Sequence, residues 1–153
     1  MRTAVLCAAV VLAACTPRVN TNPDTGRVDV DLEPVTQRGE VWNARIADRG
    51  GSGITGTSRV TVREDHTIAT LSISGGRSGG VHPWHIHEGT CATGGPVVGP
   101  ASAYPPLNVA SNGQASAEAH LMLQLNEAQS YHINVHASPT EMGNIVACGA
   151  LED

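Results

Sequence analysis

Apolar and polar residues alternate through seven short runs of this chain, and no other feature constrains the fold as strongly. In Ser58 to Arg63, Val60 and Val62 alternate with Arg59, Thr61 and Arg63. In Thr67 to Ile73, Ala69, Leu71 and Ile73 share one face. The same period runs through Val41 to Ile46, Trp84 to His87, Gln114 to Leu123, Tyr131 to His136 and Ile145 to Leu151. Successive side chains on a strand point to opposite faces, so a period of two marks strands with one face in a core. Gly, Pro, Asn and Asp separate the runs, as tight turns require. Seven or eight short strands with little helix predict an all-β fold, an eight-stranded antiparallel Greek-key β-barrel or sandwich.

The first residues lie outside that pattern. Met1 to Thr3 carry one positive charge, and Ala4 to Ala14 form an apolar segment too short to span a bilayer as a helix. The segment ends in Leu12-Ala13-Ala14-Cys15, which resembles a bacterial lipobox. That resemblance implies a lipoprotein signal peptide over 1–14 and a lipid on Cys15. Thr16 after the cysteine implies the outer membrane, with the protein facing the periplasm. Residues 15–37 are mostly polar and read as a flexible tether. The barrel domain is expected over 38–153, a length able to bury its own core. The net charge is −5, and Arg2 leaves with the signal peptide, so the mature chain carries −6. With no lysine and no basic run, nucleic acid is not an expected partner.

Of the four cysteines, Cys7 falls in the removed segment and Cys15 is the lipid site. Cys91 and Cys148 remain, an even pair in an exported chain, and are expected to form a disulfide.

Two of the runs carry histidines. His85 and His87 stand at i and i+2, so their rings leave the same face with Cβ atoms roughly 6.5–7 Å apart, a span one metal ion can bridge. His136 offers a third imidazole. Ile86 on one strand, and Ile133 and Val135 on the other, point to the core, which places the three histidines on the outer wall under loops. His132 shares a face with His136 but lies roughly 13 Å away, too far for a common ion. His132 and His120 are therefore read as solvated, and His66, after Glu64-Asp65, as part of a turn. Glu88 either orients a ligand ring or lies in a surface turn, and Trp84 reads as packing. Met122 and Met142 are too scattered for a methionine copper motif. Ala92 to Gly113 contains no His, Asp, Glu or Cys, so no side chain there is a usual metal ligand.

His85-Ile-His87-Glu-Gly, the Cys91 that follows, Asn134-Val-His136 and Val146-Ala-Cys148-Gly149 together resemble the copper/zinc superoxide dismutase family. The resemblance covers about Val41 to Leu151. It implies the immunoglobulin-like superoxide dismutase fold, with copper ligands at His85, His87 and His136. It also implies a disulfide between Cys91 and Cys148, and a structural, hydrogen-bonding role for His82 behind the ligands. The family activity is disproportionation of superoxide to dioxygen and hydrogen peroxide by copper cycling between Cu(II) and Cu(I).

The departures from the family are specific. Gly95-Pro96-Val97 stands where the family has a Gly-Pro-His whose histidine bridges copper and zinc. The other zinc ligands are missing, and Ile145 stands where an arginine guides superoxide. A copper-only site without zinc is the expectation. Three imidazoles suit Cu(I), which accepts low coordination, better than Cu(II), which prefers a fourth tetragonal ligand. Electrostatic steering of superoxide should be poor on a chain of net negative charge. The partners expected are superoxide or the copper ion itself, and the membrane through Cys15. Two alternatives remain open: a non-catalytic copper buffer using the same histidines, and a structural barrel without metal.

Overall fold

The computed structural model describes residues 18–21, 28–31 and 39–153. The signal segment, Cys15 and the rest of the tether lie outside the described residues. The chain divides into two units, Met1–Thr36 and Gln37–Asp153.

In the first unit, β1 (Arg18–Thr21) and β2 (Val28–Asp31) pair antiparallel, with Arg18 opposite Asp31 and Thr21 opposite Val28. The polar composition of residues 15–37 predicts no strand there, so this pair is an addition to the expected tether. Val19 and Val30 stand opposite each other in this short ladder.

The second unit is built from β3 (Glu40–Asp48), β4 (Thr55–Val62), β5 (Thr67–Ser74), β6 (Val81–His82), β7 (Trp84–Glu88), β8 (Leu107–Asn108), β9 (Ala115–Leu121), β10 (Tyr131–His136) and β11 (Ile145–Ala150). Each of the seven alternating runs forms a strand. Seven strands join one antiparallel sheet in the order β7-β10-β11-β3-β4-β5-β9. Hairpins between consecutive strands make β3-β4-β5 and β10-β11, while β7, β9 and β10 are reached by connections that cross to non-adjacent strands, as in Greek keys. The sheet curls at β3, whose residues Glu40 to Ile46 pair with β4 while Ala47 and Asp48 pair with β11. The result is an all-β, barrel-like fold.

The sheet holds seven strands where eight were expected. The segment after β7 folds back along the free edge of β7, where Glu88 N–H donates to Pro96 O at 3.0 Å and Val98 N–H donates to Ile86 O at 2.9 Å. Val97 stands opposite His87 in an isolated bridge. Pro96 and Pro100 supply no amide donor, so this pairing cannot lengthen into a full strand. Further on, β8 pairs only with β6, His82 facing Leu107. The place of an eighth strand is thus filled by a partly extended loop that buries Val98, Tyr104, Leu107 and Val109.

Most strands follow the alternation that predicted them. In β5, Thr67, Ala69, Leu71 and Ile73 are buried, and in β4, Ser58, Val60 and Val62 are buried. β10 breaks the rule, since all six of its residues are buried, and the first four residues of β7 are buried as well. Ile86, Ile133 and Val135 pack in the core, so the histidine face of these two strands is covered by something else.

Cys91 and Cys148 form the expected disulfide, with Cα atoms 6.0 Å apart. It ties the segment after β7 to β11. Arg49 reinforces the tie, its guanidinium donating to Cys91 O at 2.7 Å. The bridge closes 57 residues of sequence. In the chain-entropy model a loop of that length contributes roughly 4 kcal/mol by restricting the unfolded chain.

Candidate metal centre

Strands β7 and β10 are antiparallel neighbours, with His132 opposite His87 and Asn134 opposite His85. His85 and His87 therefore project from the same face as His132, Asn134 and His136. After Val135 the register of β10 against β11 shifts, and His136 N–H donates to Pro83 O at 2.8 Å. This carries the β7–β10 pairing one step further and puts His136 on the diagonal from His85. One ring nitrogen from each of His85, His87 and His136 lies within 4.8 Å of the others, so the three form a group able to hold a metal ion. All three residues are buried, exposed by only 6 %, 9 % and 4 %.

The hydrogen bonds say which nitrogens are free. His87 Nδ1 lies 2.9 Å from Gly95 O, and His136 Nδ1 lies 2.6 Å from Met142 O. A carbonyl only accepts, so both Nδ1 atoms carry the proton, and each neutral ring keeps a lone pair on Nε2. His87 Nε2 is buried with no hydrogen-bond partner. His136 Nε2 lies 3.2 Å from His85 Nδ1. His85 Nδ1–H can donate to the His136 Nε2 lone pair, but the buried lone pair of His87 Nε2 meets no donor, which is costly unless a cation sits there. Three imidazole nitrogens, two of them with a backbone carbonyl behind the ring, form a donor set that fits a transition-metal ion.

Burial also keeps two of the rings, His85 and His136, neutral. It pushes His85 down to about 4, with the neighbouring His136 and His87 rings adding to the effect. His136 is likewise lowered by burial, against the opposing pull of its Met142 carbonyl bond. Neutral imidazole is the form that binds metal, so at pH 7 these two rings need not lose a proton first.

Two loops supply the cover. Gly95 brings the first one close, where an added Cβ would overlap the Glu88 carbonyl, so a larger residue there would push Gly95 O away from His87. Gly89, at φ +83, makes the turn that starts this loop. The second loop, between β10 and β11, supplies Met142 O. His82 Nδ1 donates to His136 O at 2.9 Å and so fixes the backbone of a ligand rather than adding a nitrogen to the trio.

Val97 packs against the core beside His87, and Ile145 pairs with His136 and is half-buried. Neither offers a ligand or a charge. Glu88 is exposed, and only its backbone N–H joins the loop. His120 is exposed beside Glu118, and half-buried His66 bonds Asp65. Trp84 is fully buried, as expected of packing.

His132 contradicts its reading as a solvated ring. It is 0 % exposed, stacks on His87 with ring centroids 5.3 Å apart and planes at 25°, and accepts at Nε2 from Asn134 Nδ2 at 3.3 Å. Alternation placed it correctly on the outer face of β10, but the loops cover that face. Tyr104 and Gly95 were missed for the same reason, since both belong to a segment searched only for ligand side chains. A lone aromatic among glycines and prolines was the available signal.

No protein-family model matches the chain, and no curated protein matches it.

Proposed function

We propose that this chain is a copper-binding, superoxide dismutase-like protein of the bacterial envelope, held to the membrane by a lipid on Cys15 and facing the periplasm. The observation that carries the reading is the buried trio His85, His87 and His136, whose nitrogens lie within 4.8 Å of one another. The disulfide between Cys91 and Cys148 accords with an oxidising compartment. Copper, when bound, would supply a one-electron couple able to take an electron from one superoxide, releasing dioxygen, and return it to a second, which with two protons from solvent gives hydrogen peroxide.

The chain's own residues favour holding the ion over rapid turnover. His87 and His136 are fixed by Gly95 O and Met142 O. Val97 replaces a fourth imidazole, and Ile145 replaces a guiding cation at the rim. An anion entering there would meet no local positive charge from either position, and the gain that a cation gives in a partly desolvated cleft is forgone. The burial of all three ligand rings supports the second reading, a copper buffer with little or no turnover. Superoxide consumption by the copper-loaded full chain separates the two. Slow turnover, raised by Ile145→Arg and lowered again by salt, supports a weak dismutase. No turnover in either form supports the buffer, and turnover near the diffusional ceiling in the unmodified protein contradicts both descriptions of the site.

A further inference from the structure

The three ligand rings are not held alike. Carbonyls fix His87 and His136 through Nδ1, but His85 turns its Nδ1 toward His136. Among the described residues, no hydrogen bond reaches the other nitrogen of His85. Its ring instead meets Tyr104 edge-to-face, with centroids 5.1 Å apart and planes at 84°.

Tyr104 is itself fixed from two sides. Its hydroxyl donates to Val98 O at 2.7 Å, and its ring meets Trp84 at 5.2 Å and 84°. Trp84 in turn donates through Nε1 to Pro105 O at 2.8 Å. Tyr104 is 6 % exposed and Trp84 0 % exposed, so neither ring has room to move. Edge-to-face aromatic contacts at such distances are directional as well as cohesive. We propose that Tyr104 is a positioning residue for the metal centre: it sets the plane of His85 and thereby aims Nδ1 into the trio, the task that backbone carbonyls perform for the other two rings. This deepens the copper reading above and assigns a role to a segment with no ligand of its own.

The test uses the full chain and two substitutions. Tyr104→Phe keeps the ring and loses the hydroxyl, while Tyr104→Leu loses the ring. Copper(II) is titrated into each, and the bound ion is read by electron paramagnetic resonance. We expect Tyr104→Phe to keep the single spectrum of the unmodified protein. Tyr104→Leu should give a broadened or mixed spectrum and weaken copper about tenfold or more, the scale of lost support behind a ligand. A Tyr104→Leu protein with unchanged affinity and spectrum overturns the proposal.

Metal-free unmodified protein gives a readout that depends neither on copper nor on the leucine variant folding. Its His85 ring should show one set of nuclear magnetic resonance signals, with Overhauser contacts to the Tyr104 ring. Two interconverting sets, or no contact to Tyr104, overturn the proposal even if copper binds. Failure of the unmodified protein to bind copper would count against the proposed function, while the metal-free spectrum would still decide the role of Tyr104.

Discussion

At the scale of single residues, the site depends on small backbone details as much as on histidines. Gly95 carries the carbonyl that fixes His87, and the loop can approach β7 only because Gly95 has no side chain. Gly95→Ala should therefore lower copper affinity by about 10–100-fold, the usual scale for loss of a hydrogen bond behind a ligand, while the protein stays folded. Calorimetric titration with copper checks this, and unchanged affinity would separate the loop from the site. The rings also make a pH prediction. His85 is pushed down to about 4, and His136 and His132 are lowered, each chiefly by burial. Below about pH 6.5, the ordinary histidine value, the unfolded chain takes up protons that these folded rings refuse. Acid therefore favours the unfolded state, and stability present above pH 6.5 should be lost progressively toward pH 4. Urea unfolding of the metal-free, disulfide-intact protein should show a lower midpoint at pH 5 than at pH 7.5. An equal or higher midpoint at pH 5 would mean the rings are not neutral in the fold.

At the scale of elements, period-two patterning located all seven long strands, because one face of most of them packs in the core while the other meets water. Ala69, Leu71 and Ile73 against Ile68, Thr70 and Ser72 is a direct case. The trio was legible for the same reason, since His85 and His87 had to share a face, and His136 lay on a run of the same kind. The missing eighth strand was not legible, because two residues of β8 and a bridge at Val97 leave no periodic trace. Nor was the burial of His132, whose face is closed by a Gly- and Pro-rich loop rather than by a strand. Covering loops make their contacts through backbone carbonyls, and a carbonyl has no sequence signature. The β1–β2 pair was missed because four-residue strands rich in Arg, Asn, Asp and Thr look like polar linker. The disulfide belongs to this scale too, since it fastens the covering loop to β11. Reduction should remove roughly 4 kcal/mol, a fall in melting temperature of roughly 10–20 °C for a domain of this size. Scanning calorimetry with and without reductant checks it, and an unchanged melting temperature would show that the bridge does not hold the fold.

At the scale of the whole molecule, the chain joins an all-β body to an N-terminal segment that is expected to carry lipid. Fatty-acid labelling of the full-length protein should disappear in Cys15→Ala, and labelling that persists would place the anchor elsewhere. In the body, the three candidate ligands are enclosed, Val97 and Ile145 bring no imidazole or cation beside them, and the net charge of −5 gives an anion no general attraction. All of this rests on one claim, that His85, His87 and His136 hold copper together. Metal analysis of the full chain after copper loading and exhaustive dialysis tests it most directly. The account predicts one copper per chain and no retained zinc, with the copper lost when all three histidines are changed to alanine in a protein that still folds. No retained copper in the unmodified chain, or one copper per chain in the triple variant, would contradict it.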